Sequence, residues 1–381
     1  MNNSIKILSE LVAINSIFPN EKKLGEYLEK ALIERGFKTK RIYISEDRFN
    51  VVGERGTKGK PLVFYGHMDT VPVYGNWTNS PFKLVEKGDK LHGLGAVDMK
   101  AGIAAILCAV ETQTEQKIKV AFGVDEENIS EGGWAILNDG LLKDALAVVV
   151  PEINDDPRSK PRHSNTIMLG RRGRCVYEIH IPGRSSHGAQ VDLGISAINE
   201  ASKLILELES LNKSMKPHSH LLKPTQFIRK ISAESTSLSI PESATLEIDR
   251  HLVTPETPES VLAEIESFID SLYSKGIFKE IDSKRISVKI KERKTPYLPP
   301  YVTSENDPTV IRLAKIINSK IGKCDFVYGA SVADENVFSI SGIPILGYCP
   351  IGHQYHSADE WVSKSSYLQI VDVLTEFVKS F

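Results

Sequence analysis

The pattern of hydrophobic and polar positions in the first 150 residues alternates between helical and extended segments. Residues 4–14 and 21–36 show helical spacing of apolar side chains, and apolar or small residues fill 101–111 and 133–142, which predicts four helices. Short apolar runs at 40–44, 50–54, 62–65, 117–124 and 145–150 predict strands, and KLVEKG with KLHGLG predicts a hairpin or two edge strands. This alternation favours an α/β fold with a doubly wound, mostly parallel sheet.

The pattern changes after about residue 170. Strands at 175–181, 226–232, 244–253 and 285–291, with helices at 194–211 and 258–275, follow the order β, α, β, β, α, β. That order resembles a ferredoxin-like α+β module inserted as a unit. The stretch TPYLPPYVTSENDP predicts a return linker, and a helix at 308–320 and a strand at 343–349 then complete the first domain. We therefore predict a first domain in two parts, 1–172 and 294–381, and an inserted domain, 173–293.

Composition and charge exclude several classes of protein. Of the 381 residues 41% are hydrophobic and 25% are charged, as in ordinary globular proteins. The 47 basic and 49 acidic residues give a net charge of −2, which favours neither a nucleic acid nor an anionic membrane as partner. The N-terminus predicts an amphipathic helix and not a signal peptide, and no apolar run approaches a membrane span. The four cysteines lie far apart with no C-x-x-C pair, so we expect a cytoplasmic protein without a disulfide framework or a thiolate zinc site.

One predicted strand leads directly into candidate chemistry. In PLVFYGHMDT the apolar run ends at Gly66 and is followed by His67 and Asp69. These two side chains are two residues apart, so they point the same way at the carboxyl edge of the sheet, where open α/β sheets place their sites. An imidazole beside a carboxylate is typical of a metal ligand that an acid holds in orientation. The alternative is a histidine and an aspartate that merely hydrogen-bond a loop.

Other acidic and imidazole groups lie at or beyond the ends of predicted elements. Together with His67 they lack cysteine, which suits zinc, cobalt or manganese. A carboxylate can bridge two ions about 3.5–4 Å apart, and a further carboxylate beside a ligand can take a proton from water. Asp98 could alternatively cap the following helix, and Glu126 with Glu127 could form a solvated turn. The residues are Asp98, the pair Glu126 and Glu127, Glu152 and His356.

Two of these positions have neighbours of the same chemical type. Asp155 and Asp156 compete with Glu152 as the carboxylate ligand, and His353 competes with His356. The string HSADE favours His356 over His353 only through the family resemblance described below. The carboxylate ligand after the strand at 145–150 stays open between the three acids.

The ordered motifs carry a resemblance to a known family. GHMDTVP, WTNSPF, GLGAVDMK, DEE, RSSHGA with GISAI, and HSADEWV resemble the co-catalytic metallohydrolase family of acetylornithine deacetylase, succinyl-diaminopimelate desuccinylase, aminoacylase and glutamate carboxypeptidase, over nearly the whole chain. The resemblance implies a zinc exopeptidase-like catalytic domain and an inserted lid or dimerisation domain. It implies two divalent ions, zinc first with cobalt or manganese as alternatives. It also implies His67, Asp98 and Glu152 as ligands of one ion, Glu127, His356 and the bridging Asp98 as ligands of the other, and a cis peptide bond at Asp98–Met99.

The same resemblance implies catalytic roles. Asp69 would orient His67, and Glu126 would be the general base. His187 of the inserted domain would reach the neighbouring subunit's site and polarise the scissile carbonyl, which implies a homodimer. An ordinary surface histidine is the alternative.

The resemblance also implies a site for a substrate carboxylate. Arg250, at the end of ATLEIDR, would clamp the carboxylate through its planar fork; an ion pair with Asp249 or Glu247 is the alternative. Gly329, in YGASVAD, would lie in a loop whose backbone N–H groups hold the same carboxylate. The chain has SVAD where many members have Ser/Thr-Asp, and Ser196 and Leu94 where Asn and Arg are frequent, which weakens any transfer of substrate specificity.

We therefore expect a dinuclear metal-dependent amide hydrolase that acts on small N-acyl amino acids, of the acetylornithine deacetylase or succinyl-diaminopimelate desuccinylase type. Hydroxide generated at the metal pair with Glu126 would attack the amide carbonyl. The alternative is a carboxypeptidase or dipeptidase that releases a C-terminal amino acid. A third interpretation is a non-catalytic binding protein of the same fold, against which the intact base and ligand set argue.

Overall fold

The computed structural model describes residues 3–153, 164–235 and 237–381. The chain forms two compact units, Met1–Arg171 with Val302–Phe381, and Arg172–Tyr301. Residues 294–301 belong to the second unit, in which the N–H of Arg174 donates to the carbonyl oxygen of Leu298 at 2.9 Å. A lid or dimerisation role for this unit stays a prediction.

The described residues form helices and strands throughout both units. In chain order they are α1 (Asn3–Ala13), α2 (Lys22–Glu34), β1 (Lys38–Tyr43), β2 (Phe49–Arg55), β3 (Lys58–His67), β4 (Val85–Lys87), β5 (Lys90–His92), α3 (Ala101–Ala109), β6 (Gln116–Gly123), α4 (Glu131–Asn138), β7 (Ala147–Val150), β8 (Thr166–Arg171), β9 (Gly173–Pro182), α5 (Ala197–Ser214), β10 (Thr225–Ser232), β11 (Ser243–Leu252), α6 (Pro258–Ser274), β12 (Ser287–Ile290), β13 (Tyr301–Val302), α7 (Pro308–Lys320), β14 (Asp325–Gly329), α8 (Asp334–Ser339), β15 (Ile345–Gly347), β16 (Gly352–His353), β17 (Trp361–Ser363) and α9 (Lys364–Lys379). A short kinked segment, Ala96–Lys100, precedes α3, and within it Asp98 and Met99 have non-helical backbone angles. Among the described residues, no helix combines the length and the apolar character needed to cross a membrane.

The first unit is built on a mixed sheet with a parallel centre. Its strand order is β1-β2-β6-β3-β7-β15-β8-β13, with β14 beside β8. Strands β6, β3, β7 and β15 run parallel, whereas β1 and β2 join antiparallel at one side. Residues 62–65 of β3 are at most 1% exposed, because a strand in the centre of such a sheet is covered on both faces. The predicted doubly wound, largely parallel sheet is confirmed.

This topology collects the ends of three strands. His67 is the last residue of β3 and lies opposite Gly123, the last residue of β6. Glu126 and Glu127 follow β6, and Glu152 follows β7 on the other side of β3. Since parallel strands end at the same edge, the sheet brings these side chains together. A second, four-stranded sheet of order β16-β17-β5-β4 carries the loop with His356.

The second unit is an antiparallel sheet with two helices. Its order is β10-β11-β9-β12, and the chain order β9, α5, β10, β11, α6, β12 is the predicted ferredoxin-like arrangement, which is confirmed. Alternate residues of β9 and β11, such as Ile179 and Leu246, are fully buried and form one core with Leu204 of α5 and Ile265 of α6. The edge strand β10 leaves Phe227 and Ile231 exposed.

Candidate active site

Two of the predicted ligands contact each other directly. The Nε2 atom of His67 lies 3.1 Å from Oδ1 of Asp98. Asp98 belongs to the kinked segment before α3, and the predicted cis peptide bond at Asp98–Met99 is present. The alternative that Asp98 caps α3 is not realised, because the residue before that helix is Lys100 and no side chain caps it.

The second oxygen of Asp98 faces another histidine. His356 Nε2 lies 3.5 Å from Asp98 Oδ2 and 3.1 Å from Glu127 Oε1. The side chain of His356 is 48% exposed, whereas those of Asp98 and Glu127 are each 10% exposed. Asp98 therefore lies between the buried His67 and the more accessible His356.

The clustered side chains fall into groups that share members. In each group the ligand atoms lie within 4.8 Å of one another. Asp98 belongs to two of them, as a bridging carboxylate would. A third group contains Glu126, so proximity alone also permits this residue as a ligand. The groups are His67 with Asp98 and Glu152, Asp98 with Glu127 and His356, and His67 with Glu126 and Glu127.

The donor set fits two divalent ions. It combines imidazole nitrogens with carboxylate oxygens and contains no thiolate, as zinc, cobalt and manganese accept. Within the described residues, Oε2 of Glu152 is buried and has no hydrogen-bond partner. A buried carboxylate oxygen is costly unless it is hydrogen-bonded or binds a cation, so this atom is suited to a metal ion. The competing Asp155 and Asp156 lie outside the described residues, and the ring of His353 packs 5.3 Å from that of Trp361.

The carboxylate of Asp69 positions a neighbouring turn. Its two oxygens accept the backbone N–H groups of Glu126 at 3.2 Å and Glu127 at 3.0 Å. Nδ1 of His67 lies 3.0 Å from the backbone oxygen of Asp69 but 3.8 Å from its Oδ1. Asp69 thus contacts the imidazole mainly through its carbonyl group, while its side chain fixes the glutamate pair.

Further buried polar groups support this turn from the other side. Asp125 is fully buried with φ 71°, and its carboxylate accepts the N–H of Glu131 at 2.9 Å. Nη2 of Arg48 lies 3.4 Å from Asp125 and donates to Glu21 at 2.6 Å. Arg48 and Glu21 are not among the predicted site residues, because they are distant along the chain from Asp125.

The carboxyl groups of the site perturb one another. Burial, followed by the charge of Glu152, raises the pKa of Glu126 well above its ordinary value. Burial would also raise the pKa of Asp98, but hydrogen bonds with His356 and His67 hold it far below its usual range. Hydrogen bonds with Asp98 and Glu127 raise the pKa of His356 to about 10. Bound cations would therefore compete with protons here, as expected when ligands must ionise.

Glu360 links the segments that carry Asp98 and His356. It lies four residues after His356 and is 2% exposed. Its carboxylate accepts the backbone N–H groups of Gly95 and Val97, both at 2.8 Å, and of Asp98 at 3.2 Å. One side chain thus holds the loop that presents the shared carboxylate.

Glu360→Gln is expected to loosen this loop. The glutamine amide offers only one acceptor oxygen, so at least one buried N–H group loses its partner, at a cost of about 1–3 kcal/mol. We expect a lower free energy of unfolding in urea for the metal-free protein and weaker metal binding. Asp359→Asn is the control, since the carboxylate of Asp359 accepts the N–H and hydroxyl groups of Thr78 in a more exposed place. Equal stability of the two variants would contradict this role of Glu360.

Two predicted residues belong to the second unit. His187 is exposed, and its Nδ1 accepts the N–H of Ala189 at 3.1 Å. Arg250 is 1% exposed, and its Nη2 donates to Glu256 at 2.6 Å and to Glu264 at 3.2 Å. The guanidinium thus already has two carboxylate partners within its own unit.

The alternative partners considered for Arg250 are paired elsewhere. Asp249 accepts from Arg174 at 2.6 Å, and Glu247 accepts from Lys291 at 2.5 Å. In the first unit, Gly329 ends β14, where a Cβ atom would lie 3.0 Å from Cγ of Arg171. The lack of a side chain at Gly329 therefore allows close packing on Arg171.

The fold and the clustered ligands define a hydrolase of the two-domain metallopeptidase class. A family model described as peptidase family M20/M25/M40 matches residues 63–380, and the chain belongs to this family. The resemblance seen in the motifs is thereby confirmed, and the protein is an enzyme that hydrolyses amide bonds.

Curated and solved relatives cover nearly the whole chain. A probable succinyl-diaminopimelate desuccinylase of Staphylococcus aureus is 26% identical, over 98% of this chain and 96% of its own length. The crystal structure of an aminopeptidase (PepT) from Bacillus cereus matches with a TM-score of 0.78 at 17% identity, over 99% of this chain and 97% of that one. An M20 family metallo-carboxypeptidase from Sulfolobus solfataricus matches with a TM-score of 0.74 at 19% identity, over 100% of this chain and 99% of that one. At these identities the structural matches establish the fold.

Proposed function

We propose that the protein is a dinuclear metal-dependent amide hydrolase for small N-acyl amino acids, of the acetylornithine deacetylase or succinyl-diaminopimelate desuccinylase type. The observation that carries the proposal is the position of Asp98 between two ligand groups, one with His67 and Glu152 and one with Glu127 and His356. The desuccinylase name of the Staphylococcus aureus relative supports a deacylase.

Glu126 is the proposed general base. Two divalent ions bound here would polarise the amide carbonyl and lower the pKa of the attacking water. Glu126 takes a proton from this water and then gives it to the nitrogen of the leaving amine. The hydrogen bonds from the N–H groups of Glu126 and Glu127 to Asp69 support this role, because they fix the base relative to an adjacent ligand.

A free carboxylate on the substrate is the proposed recognition group. Arg250 would bind it through the guanidinium fork. The backbone N–H groups at Gly329 stay a separate proposal as donors to an anion. The carboxylates of Glu256 and Glu264 already pair with Arg250, so a substrate would share the guanidinium with them.

His187 is the proposed donor to the carbonyl oxygen, supplied by a second subunit. The exposed Phe227 (53%) and Ile231 (51%) on the edge strand β10 support a homodimer, because an edge strand with apolar side chains invites pairing with another chain. The ring of His187 is itself exposed, as a residue that serves another subunit must be.

His187→Ala is expected to lower kcat by about 10²–10³-fold, the usual cost of losing one oxyanion donor, with metal content unchanged. Heterodimers of His187→Ala and Glu126→Gln chains, purified through two different tags, should regain turnover, because one site then has both groups. Heterodimers of Glu126→Gln and Glu127→Gln chains are the control and should stay inactive, since both changes lie in each subunit's own site. A fully active monomer in sedimentation, or heterodimers that regain nothing, would exclude the action of His187 across subunits.

A carboxypeptidase or dipeptidase activity is the second candidate. The metallo-carboxypeptidase from Sulfolobus solfataricus shares the fold over the full chain. A panel of N-acetylornithine, N-succinyl-diaminopimelate, other N-acyl amino acids and simple dipeptides separates the two. Strong preference for one acyl amino acid supports the deacylase, whereas broad release of C-terminal residues from peptides contradicts it.

A further inference from the structure

Arg171 is a buried cation for which the reaction proposed above has no use. It ends β8 and is 1% exposed. Its Nε donates to Glu335 at 3.1 Å, its Nη1 to the hydroxyl of Ser331 at 3.3 Å and its Nη2 to the carbonyl oxygen of Ile153 at 3.2 Å. Burial of a guanidinium is costly unless such partners compensate it. Arg171 therefore joins the loop after β7 to the segment that enters α8.

The loop after β7 also carries a proposed metal ligand. Nη2 of Arg171 lies 3.6 Å from Oε1 of Glu152, within ion-pair distance. The other oxygen of Glu152, Oε2, has no hydrogen-bond partner within the part of the chain that the structure describes. Glu152 thus has Oε1 beside the guanidinium of Arg171, and its Oε2 could bind a metal ion.

Glu335 completes the arrangement. It is fully buried, pairs with Nε of Arg171, and its own Oε2 has no partner among the described residues. The Nε atom of the planar guanidinium faces Glu335. Its Nη2 atom contacts the carbonyl oxygen of Ile153 and lies near Glu152. A lysine cannot hold two carboxylates and a carbonyl oxygen with such fixed angles.

We propose that Arg171, held by Glu335, is a positioning residue that sets Glu152 for one of the two metal ions. The inference rests on the ligand set of the proposed function. It concerns the ion of His67, Asp98 and Glu152 and leaves the ion of Glu127 and His356 unaffected. Partners that orient a ligand from behind commonly change metal affinity when they are replaced.

The test compares Arg171→Lys and Glu335→Gln with wild type and with Arg174→Lys. Arg174 is the matched control, because it also pairs with a carboxylate through Nε and Nη2, at 2.9 and 2.6 Å to Asp249, but in the second unit. Chelator-treated protein is titrated with Co²⁺ while heat and the visible absorption spectrum are recorded, and unfolding in urea is measured without metal. We expect Arg171→Lys to weaken one of two equivalents by about 10–100-fold and to alter its spectrum, with a smaller effect for Glu335→Gln.

The results of these titrations separate a positioning role of Arg171 from a purely structural one. Wild type that binds fewer than two ions overturns the ligand assignment, and this inference with it. Wild type that binds two ions, with both variants binding as Arg174→Lys does, overturns the positioning role alone. Equal weakening of both ions together with lower stability of the metal-free protein also overturns it, since the residues would then only support the fold. If Arg171→Lys does not fold, Glu335→Gln gives the same decision.

Discussion

Glu126→Gln is expected to lower kcat by about 10²–10⁴-fold, the range typical of a lost general base, while the protein keeps both metal ions. Glutamine has nearly the same shape as glutamate but cannot take a proton from water. The backbone N–H of Glu126 still donates to Asp69, so the turn should keep its conformation. Turnover and metal content by elemental analysis check the two halves of this expectation.

The adjacent glutamate provides the matched comparison. Glu127 lies within hydrogen-bond distance of His356, and Glu127→Gln should therefore lose metal along with activity. Glu126 also belongs to the third ligand group, with His67 and Glu127, so a loss of metal in Glu126→Gln is a possible result as well. If Glu126→Gln loses an ion, Glu126 is a ligand; if it turns over like wild type, Glu126 is not the base.

Asp98→Ala is expected to weaken both ions, since this carboxylate belongs to both ligand groups. We expect a loss of affinity beyond about 100-fold for each, above the range for an outer partner, and turnover should fall with it. Equilibrium dialysis followed by elemental analysis measures the bound metal.

The controls for Asp98→Ala are residues that belong to only one of the ligand groups. Glu152→Ala and His356→Ala should each weaken one ion and leave the other bound, because each belongs to one of the groups with Asp98. An Asp98→Ala protein that keeps one ion with full affinity would contradict the bridging role.

Much of the fold followed from short-range patterns. The apolar run 62–65 predicted a strand, and it lies buried in the parallel part of the sheet. Residues 175–181 predicted a strand, and within it Tyr177 and Ile179 are fully buried in the core of the second unit. Here local spacing and tertiary burial agree, so the sequence carries the information directly.

Other elements escaped prediction for identifiable reasons. Strands β14 and β17 are five and three residues long, and their stability comes from neighbours distant along the chain. Helix α9 was missed although Ser363 caps it and Ile370, Val373, Leu374 and Phe377 have helical spacing.

The residues of the candidate site were likewise predictable only in part. Motifs located the candidate ligands, but the groups that position them join residues far apart in sequence, such as Arg171 with Glu335 and Glu360 with Gly95. Asp69 shows the limit of strand periodicity, because its side chain turns to the glutamate pair and its carbonyl oxygen contacts His67. No local pattern specifies such contacts.

The most direct test of a two-metal amide hydrolase is a titration of chelator-treated protein with Zn²⁺, Co²⁺ or Mn²⁺ while hydrolysis of N-succinyl-diaminopimelate, N-acetylornithine and a dipeptide is followed. We expect no turnover without metal and a rise that ends at two ions per chain, because Asp98 belongs to both ligand groups. Turnover that persists without metal, or two bound ions with no hydrolysis of any of these amides, would contradict this expectation.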